Sequence, residues 1–301
     1  MSTKAKITVL GAGLMGHGIA QVFACAGHQV VVYDPMPKSL ETLPVRIQAN
    51  LVMMGLPDDA LGLISCCQIL SEAVRGADVV FEAALEDLAV KQELFAQVEA
   101  HIRPDTVLAS NTSVMPITSI MEKLSHRKMA LGTHWWNPPF LVPLVEVVPT
   151  EWTSPAVVTF MLDLLAKAGK KTVYVKKDIP GFIGNRLQHA LWREAIALVE
   201  AGVCSAEDVD DVVKSSFGLR LDVLGPLENA DLVGTDLTLA IHNIVLPAIN
   251  CCPAPSPYLK DLVATGKLGM KTGEGFRSWT SAQQADIREK IFMKLKDNLK
   301  E

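Results

Sequence analysis

No stretch of this sequence is both long enough and apolar enough to cross a bilayer. Residues 237–259 come nearest, with no Asp, Glu, Lys or Arg, but Asn243, Pro247, Asn250, Pro253, Pro255 and Pro257 interrupt them. A basic excess is also missing: the net charge is -5 over 301 residues, which excludes the electrostatic footprint of a nucleic-acid surface. The six cysteines include the adjacent pairs Cys66-Cys67 and Cys251-Cys252, yet no C-x-x-C or Cys/His spacing, so no metal site is expected. Free thiols in a reducing cytosol are the expectation, and with them a cytoplasmic protein. There is no run of like charges, no internal repeat and no low-complexity segment. Lys4 and Lys6 ahead of an apolar run, with ACAG at 24–27, imitate a signal peptide. The glycines in that run are spaced for another purpose, and the run ends at Asp34.

What is present points to an α/β protein of two domains. A length of 301 residues exceeds what one core usually serves, and 49% hydrophobic with 20% charged residues is ordinary for a globular chain. ITVLGAGLMGHGIAQVFACAGHQVVVYDP reads strand, glycine turn, helix, strand. Gly11 permits the tight turn and Gly13 lets backbone approach a pyrophosphate at the helix N-terminus. Gly16 packs helix on strand, and Leu14 and Met15 lie within the same cofactor turn. Asp34 ends the second strand, where a carboxylate accepts hydrogen bonds from the adenine ribose and repels a 2′-phosphate. No Arg follows it within ten residues, so NAD is expected rather than NADP. His17 reads as a helix-surface residue.

The pattern continues with strand-like runs ADVVFE (77–82), TVLASNTS (106–113), ALGTHWW, LVPLVEVV and KTVYVK (171–176). A helical period at Val90, Leu94 and Val98 lies between the first two. After KDIPGFIGNR the character changes. Leu187, Leu191, Ala195, Leu198 and Val199 recur at helical spacing, and Ser205 with Asp208 three residues on forms a helix start. The expected organisation is a dinucleotide-binding Rossmann domain over 1–184 and an all-α domain over 185–301. The apolar run LTLAIHNIVLPAI (237–249) is too apolar for a small exposed domain, which predicts a homodimer.

Between Met129 and Pro149 the only titratable side chains are His134 and Glu146. Pro138 and Pro139 break the chain between two extended segments, so it doubles back and brings the two together. A buried carboxylate needs a partner, and the histidine is the one nearby in sequence. The pair is either structural, at a hairpin, or a general base whose tautomer is fixed by the carboxylate. Beside a dinucleotide site, the second reading is preferred.

GAGLMGHGIAQVFACAGHQVVVYD, SNTS, HWWNPP, PLVEVV, KDIPGFIGNR and GKLGMKTGEGF, in this order over nearly the whole chain, resemble the 3-hydroxyacyl-CoA dehydrogenase family. The resemblance implies a Rossmann domain followed by a helical, dimer-building one, NAD bound across the C-terminal strand ends, and His134 and Glu146 as a catalytic dyad. It implies that Ser113 and Asn137 contact substrate oxygens and that Asn185 sits near them. Glu86 and Lys91 match positions near the nicotinamide ribose. Read without the resemblance, Ser113 and Asn185 fit caps or turns, Lys91 a solvated helix residue, and Trp135 and Trp136 either core or the lining of a substrate pocket; Trp135 is assigned to the pocket.

The sequence departs from the fatty-acid enzymes in having HWWNPP where they have HFFNP. That version looks closer to relatives acting on free hydroxy acids or hydroxymethyl-pyridine carboxylates. Coenzyme A brings phosphates that need Lys or Arg partners. From Ile47 to Val74 there is neither, while Asp58, Asp59 and Glu72 add negative charge. Arg186 and Arg193 remain to meet a compact carboxylate, with Lys267 and Lys271 as candidates for CoA. The expected partner is therefore a small hydroxy or keto acid, with an acyl-CoA as the alternative. A related dehydrogenase class that uses a lysine on the interdomain helix does not fit, since no lysine occurs from Gly181 to Gly202. A structural, NAD-binding protein of the same fold is the non-enzymatic alternative.

Overall fold

The computed structural model describes residues 4–298 and divides them into two units. The first runs to Arg186 and takes the chain up again from Phe292; the second is Leu187–Ile291.

The first unit is built on one eight-stranded sheet of order β3-β2-β1-β4-β5-β6-β7-β8. In chain order its elements are β1 (Lys6–Leu10), α1 (Gly16–Cys25), β2 (Gln29–Tyr33), α2 (Pro37–Glu41), α3 (Leu43–Met54), β3 (Ile64–Cys67), α4 (Leu70–Ala73) and β4 (Val79–Glu82). There follow α5 (Leu88–Glu99), β5 (Val107–Ser110), α6 (Ile117–Met121), β6 (Ala130–Trp135), β7 (Leu144–Pro149), α7 (Pro155–Lys167) and β8 (Lys171–Tyr174). All neighbours are parallel except β6 and β7. The change of direction between β1 and β4, with β2 and β3 on one side and β5 on the other, opens a crevice at the strands' C-terminal ends, where such sheets bind ligands.

Successive side chains of one strand feed two different cores, one on each face of the sheet. Val9, Val79, Phe81 and Val147 join Phe23, Trp135 and Met161 on one face. Leu10, Val80, Leu108 and Val148 join Phe95, Ile120 and Phe182 on the other. Strands buried on both faces explain their near-continuous apolar runs.

Three expectations change here. The edge strand β3, sequence ISCC, was not foreseen. Helix α5 turns Lys91, Gln92, Phe95 and Val98 inward, whereas Val90 of the expected period is 41% exposed. His17 is buried rather than on the helix surface, its Nδ1 2.8 Å from the Gly13 carbonyl oxygen. Burial pushes its imidazole below the usual value.

The second unit is helical: most of α8 (Gly184–Glu200), then α9 (Ala206–Ser215), α10 (Pro226–Val233), α11 (Thr235–Val245), α12 (Pro257–Ala264) and the start of α13 (Ser281–Asp297). Ser205 and Asp208 make the expected capping box at α9, each satisfying an amide that the helix start leaves without a partner. In this unit the apolar side chains stay open. Leu262, at 8%, is the one buried hydrophobic among its described residues, while Leu239 is 62% and Ile244 78% exposed. The end of α13, placed with the helical domain in the sequence reading, belongs to the first unit. Phe292 and Leu295 pack against its core because the helix presents them to it together, three residues apart.

Candidate active site

The crevice at the head of the sheet is shaped by the glycine turn. Gly11 adopts φ +100°, and a Cβ there would lie 2.6 Å from the Ala83 carbonyl oxygen. The space around Gly13 is open, and α1 begins with no side chain capping its first amides. An uncapped helix N-terminus behind an open glycine turn fits a pyrophosphate. Leu14 is exposed and Met15 half-buried on the same turn. Asp34 closes it from the side, one oxygen accepting from the Ala12 amide at 2.8 Å and the other from Met36 at 2.9 Å. Each oxygen keeps lone-pair capacity for a ribose hydroxyl.

Arg46 was missed in the sequence. Twelve residues past Asp34, it donates from Nη2 to the Ala12 carbonyl at 2.6 Å and to Ser39 at 3.0 Å. It is tied to the turn from α3, beyond the ten residues that follow Asp34.

Two acidic residues flank a buried lysine on the other side of the crevice. Glu82 ends β4 and is fully buried, as is Lys91. Lys91 Nζ donates to Glu82 at 2.6 Å and lies 3.3 Å from Glu86. It is thus no solvated helix residue: the paired carboxylates are what let α5 bury it. Glu86 also accepts from Thr112 Oγ1 at 2.6 Å and the Ser113 amide at 2.9 Å. Burial raises the Glu86 carboxyl, but those donors and Lys91 outweigh it and hold it below its usual range.

His134 and Glu146 face each other across the antiparallel β6–β7 pair. Their Nδ1–Oε2 distance is 2.7 Å, with side chains 3% and 1% exposed. Glu146 Oε1 accepts from the amides of Ile183 at 2.9 Å and Gly184 at 3.1 Å. Burial raises its carboxyl, but the bonds from His134 and these amides dominate and leave it below the ordinary carboxylate value. The carboxylate can only accept, so Nδ1 carries the proton and Nε2 keeps its lone pair. Asn185 Nδ2 lies 3.5 Å from that Nε2 and donates to the Ser113 carbonyl at 2.7 Å. Glu86, Ser113, Asn185, His134 and Glu146 thus form one contiguous chain of polar contacts.

The remaining expected residues divide. Ser113 and Asn137 are exposed. Trp135 is not a substrate residue but core: it is 2% exposed, packs edge-on to Phe23 and Phe81, and gives its indole N–H to Thr133. Trp136 stands beside His134 instead, with ring centres 5.2 Å apart. Strand alternation is the physical reason, since residues 134 and 136 share a face and 135 points away. Arg186 is exposed and donates to the Pro180 carbonyl at 3.3 Å. Arg193 is exposed in the second unit, where Lys267 is held by Glu274 at 2.7 Å. Lys170 was also missed. It donates to the carbonyls of Pro139 and Val142 in the loop after the double proline, and burial pushes its ammonium down to about 8.

Residues 6–179 match the model of the 3-hydroxyacyl-CoA dehydrogenase NAD-binding domain, and residues 181–279 that of the C-terminal domain. The chain belongs to the 3-hydroxyacyl-CoA dehydrogenase family. It is an NAD-dependent oxidoreductase acting on CH–OH groups. Among relatives, it is 34% identical to the 5-formyl-3-hydroxy-2-methylpyridine 4-carboxylate 5-dehydrogenase of Mesorhizobium japonicum, over 96% of this chain and 95% of that one. It is 38% identical to the mitochondrial hydroxyacyl-coenzyme A dehydrogenase of Homo sapiens, over 90% of each. A crystal structure of a 5-formyl-3-hydroxy-2-methylpyridine 4-carboxylic acid 5-dehydrogenase, an NAD+-dependent dismutase, superposes with a TM-score of 0.92 at 33% identity, covering 98% of this chain and 97% of that one. The crevice and the His134 imidazole both lie in the unit that matches the NAD-binding domain. No helix among the described residues is long and apolar enough to cross a membrane.

Proposed function

We propose that this enzyme oxidises the hydroxyl of a small free hydroxy acid, and reduces the matching carbonyl, with His134 and Glu146 as a catalytic dyad. The observation that carries the reading is the buried pair itself: Glu146 occupies Nδ1 at 2.7 Å, leaving Nε2 as an acceptor with the Asn185 amide 3.5 Å away. Gly11, Gly13, Leu14, Met15, Gly16 and Asp34 would hold the adenine and pyrophosphate half of NAD, and Glu86, Lys91, Ser113 and Asn137 the nicotinamide half. NAD, when bound, supplies the hydride acceptor. His134 Nε2 receives the hydroxyl proton, and Glu146 stabilises the imidazolium that results. Ser113, Asn137 and Asn185 orient the substrate oxygen, and Arg186 is the cation of the same unit available to its carboxylate.

Three observations support a compact substrate. The stretch 47–74 lacks cations, Lys267 is already engaged by Glu274, and the pyridine-carboxylate relative acts on a free acid by its name. The 38% identity to a hydroxyacyl-coenzyme A dehydrogenase favours the acyl-CoA as a second reading. NADH oxidation with a panel of small keto acids and with acetoacetyl-CoA separates them. A kcat/KM of about 10⁵ M⁻¹s⁻¹ or more with acetoacetyl-CoA, ordinary for a true substrate, sinks the free-acid reading.

The open apolar faces of the second unit support a homodimer that covers them, and the six free cysteines support a cytoplasmic one. Light scattering at micromolar concentration tests it, and a monomer is the adverse result.

A further inference from the structure

A buried ion pair is seldom kept for stability, since well-packed apolar residues of the same volume do as well or better. Glu82 and Lys91 are such a pair, both fully buried, and neither belongs to the dyad. Glu82 stands at the C-terminal end of β4, in register with Leu10 of β1 and Ser110 of β5, at the edge of the sheet that forms the crevice. Its carboxylate is fixed from three sides: Lys91 Nζ at 2.6 Å, the Ala84 amide at 2.7 Å and Ser110 Oγ at 2.6 Å. Lys91 reaches on to Glu86, and Glu86 holds the Ser113 amide. Two carboxylates share one ammonium, so the cluster carries a formal charge of minus one behind the crevice.

We infer that Glu82 is a positioning residue for the nicotinamide half of the cofactor site, and that the excess negative charge of the Glu82–Lys91–Glu86 cluster favours the oxidised cofactor over the reduced one. The inference rests on the reading that Glu86 lines the nicotinamide half of the site, with Lys91 buried behind it. The chemistry is simple. The nicotinamide ring is cationic when oxidised and neutral when reduced, so a fixed negative charge nearby stabilises the first form and not the second. In a crevice of low effective dielectric, the charge acts more strongly than it would in water. Glu82 also sets Lys91, and through Glu86 the Ser113 segment that leads to Asn185 and His134.

The test is nucleotide binding, not turnover. Glu82→Gln keeps the shape and neutralises the cluster. Its Kd for NAD+, by calorimetry, should rise about three- to tenfold relative to its Kd for NADH, by nucleotide fluorescence. Glu86→Gln, at a 40% exposed side chain, should shift the ratio in the same direction. If Glu82→Gln does not fold, the double replacement Glu82→Met with Lys91→Met fills the space with apolar atoms and restores the formal charge of minus one through Glu86 alone. Both affinities of that variant should fall with Lys91 gone, but their ratio should stay at the wild-type value, and a ratio moved toward NADH overturns the inference. A Glu82→Gln protein with a lower Tm and an unchanged ratio makes the residue purely structural and likewise overturns it. Should Glu86→Gln leave both affinities untouched, the reading that this cluster faces the cofactor fails as well.

Discussion

Gly184 donates its amide hydrogen to Glu146 at 3.1 Å, so the first residue of α8 helps hold the partner of His134. A Cβ at this glycine would fall inside contact distance of Trp136 Cζ2. The aromatic ring beside His134 and the amide that orients Glu146 are therefore packed against each other at one small residue.

Gly184→Ala should force that ring or the backbone to move. A cost of about 1–3 kcal/mol is expected for overpacking, together with a loss of kcat larger than the change in NAD affinity. Urea unfolding and steady-state kinetics check both. An alanine variant with wild-type stability and kcat would mean that the site has slack at this point.

His134→Ala should lower kcat by roughly 10²–10⁴-fold with NAD binding preserved, the usual loss of a general base. Glu146→Gln presents an amide to Nδ1, favours the wrong tautomer and should lower kcat over a similar range. Near-normal turnover without the imidazole would assign the pair to structure alone.

Lys170 lowers stability at neutral pH, with a definite sign. Its folded value of about 8 lies below the ordinary 10.5. Between these values the unfolded chain binds more protons, so the group's contribution to stability rises with pH across that window and is least favourable below it. Against Lys170→Met, the wild type should gain about 2 kcal/mol between about pH 7 and about pH 9.5. Chemical denaturation at both pH values measures it, and a pH-independent difference between the two proteins contradicts the burial argument.

Asp34→Ala should move the NADP-to-NAD ratio of kcat/KM toward NADP by about tenfold, equivalent to about 1.4 kcal/mol. It also releases the amides of Ala12 and Met36, so KM for NAD should rise. Arg46, already fixed on the same turn, stands ready to favour a 2′-phosphate once the carboxylate is gone. Unchanged selectivity would mean that Asp34 serves the turn rather than the ribose.

What the sequence made legible was local. Gly11 to Asp34 is one continuous strand-turn-helix-strand, and each part constrains the next. The His134–Glu146 contact is separated by a double proline that forces a reversal, so two isolated titratable residues had one way to meet. What escaped depended on distant neighbours. Lys91 looks like a surface residue until Glu82, nine positions earlier and on another element, is set beside it. Arg46 reaches the glycine turn from a helix that carries no motif. The strand at Ile64–Cys67 lacks the β-branched run of its neighbours and lies at the sheet edge. The choice between Trp135 and Trp136 was legible in principle: strand alternation from His134 selects the second.

The return of α13 to the first unit has a consequence for how the protein is made. Phe292 and Leu295 close part of a core whose other members lie between Ala5 and Ala168. On the ribosome, the sheet and its flanking helices are synthesised first, but the patch of core that Phe292 and Leu295 cover stays open until more than a hundred intervening residues have emerged. Vectorial folding of the nucleotide-binding half is thus incomplete by construction. A fragment cut at Arg186 leaves that apolar surface uncovered, and supplying residues 281–297 as a separate peptide should protect it from proteolysis.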